Sequence, residues 1–377
     1  MYDLKTYPGF TVVGIRDRIV FFSAAGAVLH EIAIPQKVVA DGANANGERN
    51  TSNQPQQPAH VVALEYCPNV KVLAVSLSDK SLRCYQLTLD QNDLRSTPLG
   101  DRIETARTIV CMKFAPKRGI LFGSDKSDCF EYDVFGKSDQ QSKWILGHTS
   151  QILCLNVSED ERFIVTSDRD EKIKISCYPD CHNIECYCLG HLEYVAGLEM
   201  VTPQNLLSVS GDKTLRLWDY TEGKQIFCHN LDFPAVGMVT QPMTDGSGML
   251  CAVKSFVGNK IEVAHVSSNK CVTFDPVTVD ESLTILSAAL TGTLELILLA
   301  IERENMLPKI MVFNFVNDKK QFVQCTEHAL SLNFEKSFQK VTIDDVKDYT
   351  TLFKHSIDNL TEYYEKKKQK IESKKSK

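Results

Sequence analysis

A structural unit that occurs twice in tandem near the middle of the chain constrains the fold more than any other feature. In each copy a Gly-His pair is followed by an Asp in a short polar turn. His148 precedes Asp170 by 22 residues, and His191 precedes Asp212 by 21. The second copy closes on Trp218 followed by Asp. A Gly-His opening and a Trp-Asp closing within about 40 residues are typical of a four-stranded propeller blade. The unit therefore predicts an all-β radial repeat.

This spacing has a local chemical reason. The Asp of a tight turn can accept hydrogen bonds that hold the His, while the His meets a strand hydroxyl and the Trp. We therefore expect Asp170 to hold His148 and Asp212 to hold His191, with Trp218 completing the second network. These five residues are predicted to be structural members of the repeat.

The same turn recurs earlier in the chain and fixes the period of the repeat. Asp79, Asp125, Asp170 and Asp212 lie 46, 45 and 42 residues apart. Such regularity indicates a ring in which each blade buries its faces against both neighbours. We predict a seven-bladed WD-repeat β-propeller with blades at Phe10 to Ile34, Val61 to Leu89, Thr108 to Val134, two within Trp144 to Tyr220, Ile226 to Val266 and Cys271 to Phe315.

Composition changes mark the limits of this ring, which we place at residues 1–335. The stretch 36–60 has almost no large apolar residue, which predicts a flexible surface loop insertion. A last strand within Gln321 to Leu332 is expected to pair with the first blade and remove free sheet edges. Residues 336–365 are predicted to form a helical segment, and 366–377 a basic disordered tail. The helical prediction depends on apolar residues at intervals of three or four, namely Ile343, Val346, Tyr349, Phe353, Ile357, Leu360 and Tyr364.

Charge is distributed unevenly along the chain. The formal net charge is −6, and the stretch 366–377 holds seven Lys against one Glu, a local charge of +6. The remaining residues therefore sum to −12, because −6 minus +6 is −12. An acidic body argues against a domain that wraps duplex phosphates by itself. The longest nearly uncharged run, Leu283 to Ile301, contains Glu295 and a Thr-Gly turn, so two strands are favoured over a membrane span.

The 13 cysteines do not suggest a disulfide framework. The first residues lack the apolar run of a secretory signal, and most cysteines lie in apolar strand patterns, which favours a reducing compartment. We expect the nucleus, with the cytoplasm as a second location. A zinc site is the alternative for one cluster, but its Cys-x-Cys spacing does not match common zinc motifs. That cluster is Cys177, Cys181, His182, Cys186 and Cys188.

The sequence contains none of the common motifs for catalysis or for cofactor binding. No Gly-rich loop links a strand to a helix, and neither a Gly-x-Ser-x-Gly elbow nor a His-Glu-x-x-His motif occurs. We therefore predict no catalytic residues, no cofactor and no metal. Enzymes do occur on propellers, with residues drawn from several blades, so a propeller enzyme stays an alternative. A binding scaffold is the favoured interpretation.

The first copy of the tandem unit departs from the second at its third strand. Lys172 stands in the place of Thr214, Lys174 in the place of Arg216, and Ser176 in the place of Trp218. A blade that breaks its local rule without structural gain is a candidate functional surface. The alternative is a solvated strand in a degenerate repeat. We expect Lys174 to be exposed on its strand.

At these residues the chain resembles the WD-repeat subunit of the eukaryotic tRNA guanine-N7 methyltransferase. The resemblance is carried by the run 167–174, by residues 162–164 before it and by 188–191 after it. It is dense from 146 to 219 and returns near the C-terminus, where 349–364 looks like the family's ending.

The resemblance implies a non-catalytic scaffold that binds and stabilises a separate methyltransferase. In this family the partner uses S-adenosylmethionine to form N7-methylguanosine in the tRNA variable loop, and tRNA is reached through the heterodimer. A basic residue on the strand after the turn meets an acidic patch of the partner. By motif position that residue is Lys174 here, with Lys172, Arg169 and Asp170 beside it.

A general WD-repeat adaptor is the second interpretation of the same features. Such a protein would be a substrate receptor of a ubiquitin ligase or a nuclear assembly scaffold. A stoichiometric methyltransferase partner is expected only under the first interpretation.

Overall fold

The computed structural model describes residues 2–36, 58–90, 93–136, 140–339, 341–343 and 346–354. They form seven antiparallel sheets, each built from four consecutive strands, and a two-residue strand joins the second sheet. The prediction of seven blades is confirmed. Strands of blades one to four are β1 Tyr2–Tyr7, β2 Phe10–Ile15, β3 Arg18–Ser23, β4 Val28–Ala33; β5 Val61–Cys67, β6 Val72–Leu77, β7 Ser81–Asp90, β8 Asp93–Pro98, β9 Ile103–Glu104; β10 Cys111–Phe114, β11 Leu121–Ser124, β12 Asp128–Tyr132, β13 Ser142–Gly147; β14 Ile152–Val157, β15 Phe163–Asp168, β16 Ile173–Cys177 and β17 Ile184–Cys188.

The last two blades begin later than predicted. Ile226 lies in the fourth strand of blade five, and Cys271 opens the fourth strand of blade six. The predictions for these blades rested on strand alternation without the His and Asp markers, so the blade boundaries were misplaced. Blades five to seven consist of β18 Val195–Met200, β19 Asn205–Ser210, β20 Thr214–Asp219, β21 Lys224–Asn230; β22 Ala235–Pro242, β23 Met249–Ser255, β24 Lys260–Val266, β25 Cys271–Thr278; β26 Leu283–Leu290, β27 Glu295–Glu302, β28 Pro308–Val316 and β29 Gln321–Cys325.

The core is divided among the contacts between neighbouring blades. Seven apolar clusters each combine residues of two adjacent blades, and the set includes a cluster between blades seven and one. The first strands of adjacent blades contact one another and so lie innermost. Because every blade needs both neighbours to bury its faces, the ring is stabilised as a whole.

The ring closes without the predicted strand exchange. β29 pairs with β28 inside blade seven, and blade one already has four strands of its own, so no place is left for a strand from the C-terminus. Instead the helix α1 (Ala329–Ser337) packs on the cluster between blades seven and one through buried Leu330 and Phe334. A Cβ at Gly26 would lie 2.2 Å from the amide nitrogen of Leu330, so this close approach requires glycine.

The C-terminal helical prediction differs from the structure in its described part. The α-helix lies at Ala329–Ser337, and residues 341–343 and 346–354 are irregular apart from the 3₁₀ turn Thr350–Leu352. The spacing of apolar residues there has another cause, because Tyr349 and Phe353 pack with Leu352 in one cluster, and Tyr349 also lines the central channel that the innermost strands enclose. The whole of the predicted basic tail, 366–377, and residues 37–57 of the insertion lie outside the described residues.

The insertion leaves the ring and returns to it at one place. The side-chain amide of Gln36 donates to the carbonyl of Ala59 at 3.2 Å, and its oxygen accepts from the Ala59 amide at 2.7 Å. These bonds join Gln36 and Ala59, which flank residues 37–57 on either side. In the described part of the chain, no helix has the length and apolarity needed to cross a membrane.

Candidate functional site

Blade five shows the complete hydrogen-bond network that the repeat predicts. The indole Nε1 of Trp218 donates to Ser208 Oγ at 2.8 Å, and that hydroxyl lies 2.7 Å from His191 Nε2. His191 Nδ1 lies 2.9 Å from Asp212 Oδ2. Burial would raise the pKa of Asp212, but the hydrogen bond and charge of His191 and the bond from Thr214 lower it below its usual range. Asp212, His191 and Trp218 therefore have the predicted structural roles.

Blade four builds the network with a different aspartate. His148 Nδ1 lies 2.8 Å from Asp168 Oδ2, and His148 Nε2 lies 2.7 Å from Thr166 Oγ1. The prediction that Asp170 holds His148 is wrong. Asp168 occupies the register position of Ser210 in blade five, at the end of a buried strand and within reach of the imidazole. Asp170 stays in the turn, partly exposed.

Asp168 also shapes the turn formed by residues 169–172. Its Oδ1 accepts hydrogen bonds from the backbone amides of Asp170 at 2.9 Å and Lys172 at 3.0 Å. Burial would raise the pKa of Asp168, but the bonds from His148 and from the Lys172 amide lower it. The fully buried, charged carboxylate of Asp168 thus fixes the backbone of the turn. The turn presents its side chains from a rigid base.

Lys174 does not lie where the sequence predicted. Its side chain is buried, with only 7% of the residue exposed, and its Nζ donates to the carbonyl of Gly147 at 2.6 Å. Ser176 replaces the tryptophan of blade five on the same strand and is fully buried. Desolvation lowers the pKa of Lys174, although the Asp168 carboxylate opposes this shift. Arg216, the equivalent residue of blade five, is also largely buried, with 13% of its side chain exposed, so this strand position points inward in both blades.

The other predicted site residues lie at the surface together. The side chains of Arg169 and Asp170 are 47% and 40% exposed, with Arg169 Nε 3.8 Å from Asp170 Oδ1. Such an exposed pair contributes little to stability and is free to exchange its partner. Lys172 is half-buried in the same turn, and no ion pair is recorded for it among the described residues. The structure therefore brings Arg169, Asp170 and Lys172 together and places Lys174 beneath them.

The C-terminal segment reaches this turn, which the sequence did not predict. We call residues 346–354 the C-terminal strap. It crosses the end of the channel, where Phe353 packs edge-on against Tyr194, and it ends with an ion pair from Lys354 to Glu171. The Lys354 amide also donates to Glu193 at 3.2 Å. The sequence holds one signal of this contact. At the left-handed turn position where blade five has the basic Lys213, blade four has the acidic Glu171, which can pair with a lysine.

The cysteine cluster is divided between two cores. Cys181 is buried between blades three and four, whereas Cys188 is buried between blades four and five. Their thiols therefore face opposite sides of one sheet. Within the described residues, no group of three or more His, Cys, Asp or Glu side chains could hold a metal ion.

A solved structure supports the fold alone. A chain in the crystal structure of the mitotic checkpoint complex matches with a TM-score of 0.60 and 15% sequence identity, covering 79% of this chain and 83% of that one. This identity is too low to carry function, so the match supports the propeller architecture only.

Sequence comparisons show the family as well as the fold. The model of the tRNA methyltransferase TRM82 WD40 domain matches residues 135–376. The tRNA (guanine-N(7)-)-methyltransferase non-catalytic subunit wuho of Anopheles gambiae is 57% identical over 382 residues, with 100% of both chains covered. The protein of that name from Aedes aegypti is 32% identical and covers 98% of this chain, and the one from Culex quinquefasciatus is 35% identical and covers 87%. The chain therefore belongs to the family of non-catalytic subunits of tRNA (guanine-N7)-methyltransferase.

Proposed function

We propose that this subunit holds its catalytic methyltransferase in a heterodimer through the 169–172 turn of blade four. The observation that carries the proposal is the charged group of exposed Arg169, Asp170 and half-buried Lys172 on a backbone held by buried Asp168. A pre-organised charged turn loses little conformational freedom on binding, so more of its interaction energy appears as affinity. The partner would be the S-adenosylmethionine-dependent enzyme that forms N7-methylguanosine in the tRNA variable loop.

The charges suggest separate roles within the turn. Arg169 and Lys172 would meet acidic groups of the partner, and Asp170 would repel an acidic group placed opposite it, since charge patterns at an interface set specificity. Lys174 would stabilise the turn from inside the blade, through its hydrogen bond to the Gly147 carbonyl. A direct contact with the partner would require Lys174 to exchange that carbonyl for a partner carboxylate.

The same charges suggest how tRNA is reached. Outside the stretch 366–377 the chain carries a net charge of −12, which disfavours phosphate binding by the propeller itself. We propose that tRNA is bound through the complex and that the subunit stabilises its catalytic partner there. We also propose a nuclear location, which imaging of the tagged chain in cells would test.

Reconstitution with the purified catalytic subunit tests the interface. We expect the double variant Arg169→Glu with Lys172→Glu to weaken the heterodimer by about tenfold or more, since like charges would then face each other. The matched control is Lys80→Glu, because Lys80 is an exposed lysine at the equivalent turn of blade two. It should bind as wild type does.

Two results would contradict the proposal. The first is a folded double variant that binds with wild-type affinity, which would move the interface away from this turn. The second is a native pull-down that recovers another stoichiometric partner and no methyltransferase, which would favour the general adaptor.

A further inference from the structure

Blade four carries an unusual concentration of exposed apolar side chains. Among the described residues, β17 has two exposed large apolar side chains, while the fourth strand of every other blade has at most one. Two more follow in the connection to blade five, and they are the most exposed large apolar side chains of the described chain. We call these four residues the apolar strip: Ile184 (44% exposed), Tyr187 (38%), Leu189 (64%) and Leu192 (72%).

The backbone around Leu189 and Leu192, at one end of the strip, is held rigidly. The amide of Leu192 donates to Asp212 Oδ2 at 3.0 Å, and His191 beside it is fixed by the same carboxylate. A Cβ at Gly190 would lie 2.5 Å from Arg216, so the loop packs tightly against blade five. Leu189 and Leu192 are thus presented to solvent by a fixed backbone. Single exposed apolar residues need no explanation, but four along one strand and the loop that follows it, two of them on a fixed backbone, indicate a surface that a partner covers.

The strip adjoins the 169–172 turn along two routes. Tyr187 is the direct register partner of Lys174 on the neighbouring strand, and paired residues of an antiparallel sheet share a face. Glu193, which follows Leu192, accepts from the amide of Lys354, whose side chain pairs with Glu171 of the turn. The charged turn and the apolar strip are therefore neighbours, linked by strand pairing at Tyr187 and by Lys354 of the strap at Glu193.

We propose that the apolar strip is the desolvated centre of the surface that binds the catalytic methyltransferase subunit. This inference rests on the function proposed above and adds its principal contact residues. Stable protein interfaces combine an apolar centre with a polar rim. The strip supplies the centre, and Arg169 and Lys172 supply a cationic rim. The matching surface of the partner is an apolar helix or loop face flanked by acidic groups.

Leu189 and Leu192 are the side chains expected to contribute most to binding. Both are exposed in the free chain, so their removal should leave its core intact. The test is the affinity of the full chain for the purified catalytic subunit, measured by calorimetry, with melting temperatures of each free variant. We expect Leu189→Ser with Leu192→Ser to weaken binding by about tenfold or more, as for interface anchors.

A second pair of exposed apolar residues provides the control. Val323 on β29 and Leu332 on α1 are 44% and 52% exposed and lie on the blade-seven side of the ring. Val323→Ser with Leu332→Ser should leave the affinity within about twofold of wild type, since contacts outside an interface contribute nothing to it.

The possible outcomes separate the two proposals. If the strip variant binds as wild type does while Arg169→Glu with Lys172→Glu binds weakly, the strip is not the centre and the turn remains the interface. If wild type does not bind the methyltransferase at all, the proposed function itself fails. Sedimentation provides a third outcome: a wild-type dimer that the strip variant abolishes would assign the strip to a second copy of this chain and overturn the inference.

Discussion

Reversal of the charge at Lys174 should destabilise the free subunit before any partner is added. In the folded chain the ammonium is almost completely buried and donates to the Gly147 carbonyl at 2.6 Å. Lys174→Glu would place a carboxylate against a carbonyl oxygen, with the charged Asp168 close enough to affect its titration. Two acceptors would then face each other without a proton between them.

The magnitude follows from the interactions that are lost. A hydrogen bond from a charged donor contributes about 1.5–3 kcal/mol. An uncompensated charge left in the interior costs about 3–5 kcal/mol. We therefore expect Lys174→Glu to lower the free energy of unfolding by roughly 3–5 kcal/mol. Lys174→Met keeps most of the stem and introduces no unpaired carboxylate, so only the hydrogen bond is lost, at about 1.5–3 kcal/mol.

Urea unfolding of the free subunit is the assay. Trp218 is fully buried in blade five, so its fluorescence reports loss of the native ring. The reasoning predicts the order wild type, Lys174→Met, Lys174→Glu for the unfolding midpoint. If Lys174→Glu unfolds within about 0.5 kcal/mol of wild type, as a surface substitution would, the burial argument is refuted and Lys174 is free to be a direct anchor.

Four further results are expected. Asp168→Asn should cost about 2–4 kcal/mol of unfolding free energy because it disturbs a buried network, whereas Asp170→Asn should stay within about 0.5 kcal/mol in the same urea assay. Burial, aided by Lys347, lowers the pKa of Lys254 to about 7, so between pH 7 and about 10 the unfolded chain binds the extra proton. Wild type should therefore gain stability relative to Lys254→Met as pH rises through that window, and melting curves with no pH-dependent difference would contradict this. Removal of residues 366–377 should leave the melting temperature nearly unchanged, since a run of like charges does not join a core. Calorimetric titration of the free subunit with micromolar S-adenosylmethionine should give no saturable heat.

The ring could be predicted because its signal is periodic. Turn aspartates at intervals of 46, 45 and 42 residues, with two Gly-His pairs, indicate blades without any knowledge of long-range contacts. Blade boundaries were displaced after Trp218, where those markers are missing, and also earlier, since blade one begins at Tyr2 and Trp144 lies in the last strand of blade three. Alternation identifies strands but does not say which strand begins a blade.

The details of blade four could not be predicted because they depend on packing. Asp168 and Asp170 are two residues apart on one polar stretch, and only the reach of a buried histidine selects Asp168. Lys174 looks like a surface lysine in sequence, yet its strand position points inward, as it does for the largely buried Arg216 of blade five. The apolar strip was missed because apolar residues on a strand are ordinarily assigned to the core.

These departures together explain how blade four can be both a stable blade and a binding surface. In blade five the turn aspartate is committed to the histidine, and its geometry is set by structural bonds. In blade four the carboxylate that holds the histidine belongs to Asp168, which lies in the strand. The turn keeps its shape because that carboxylate also accepts hydrogen bonds from two amides of the turn. Asp170 and Arg169 are then not needed by the fold. A substitution that costs nothing in the free chain but weakens the heterodimer is therefore to be sought in the turn and the strip, and not among the buried members of the repeat.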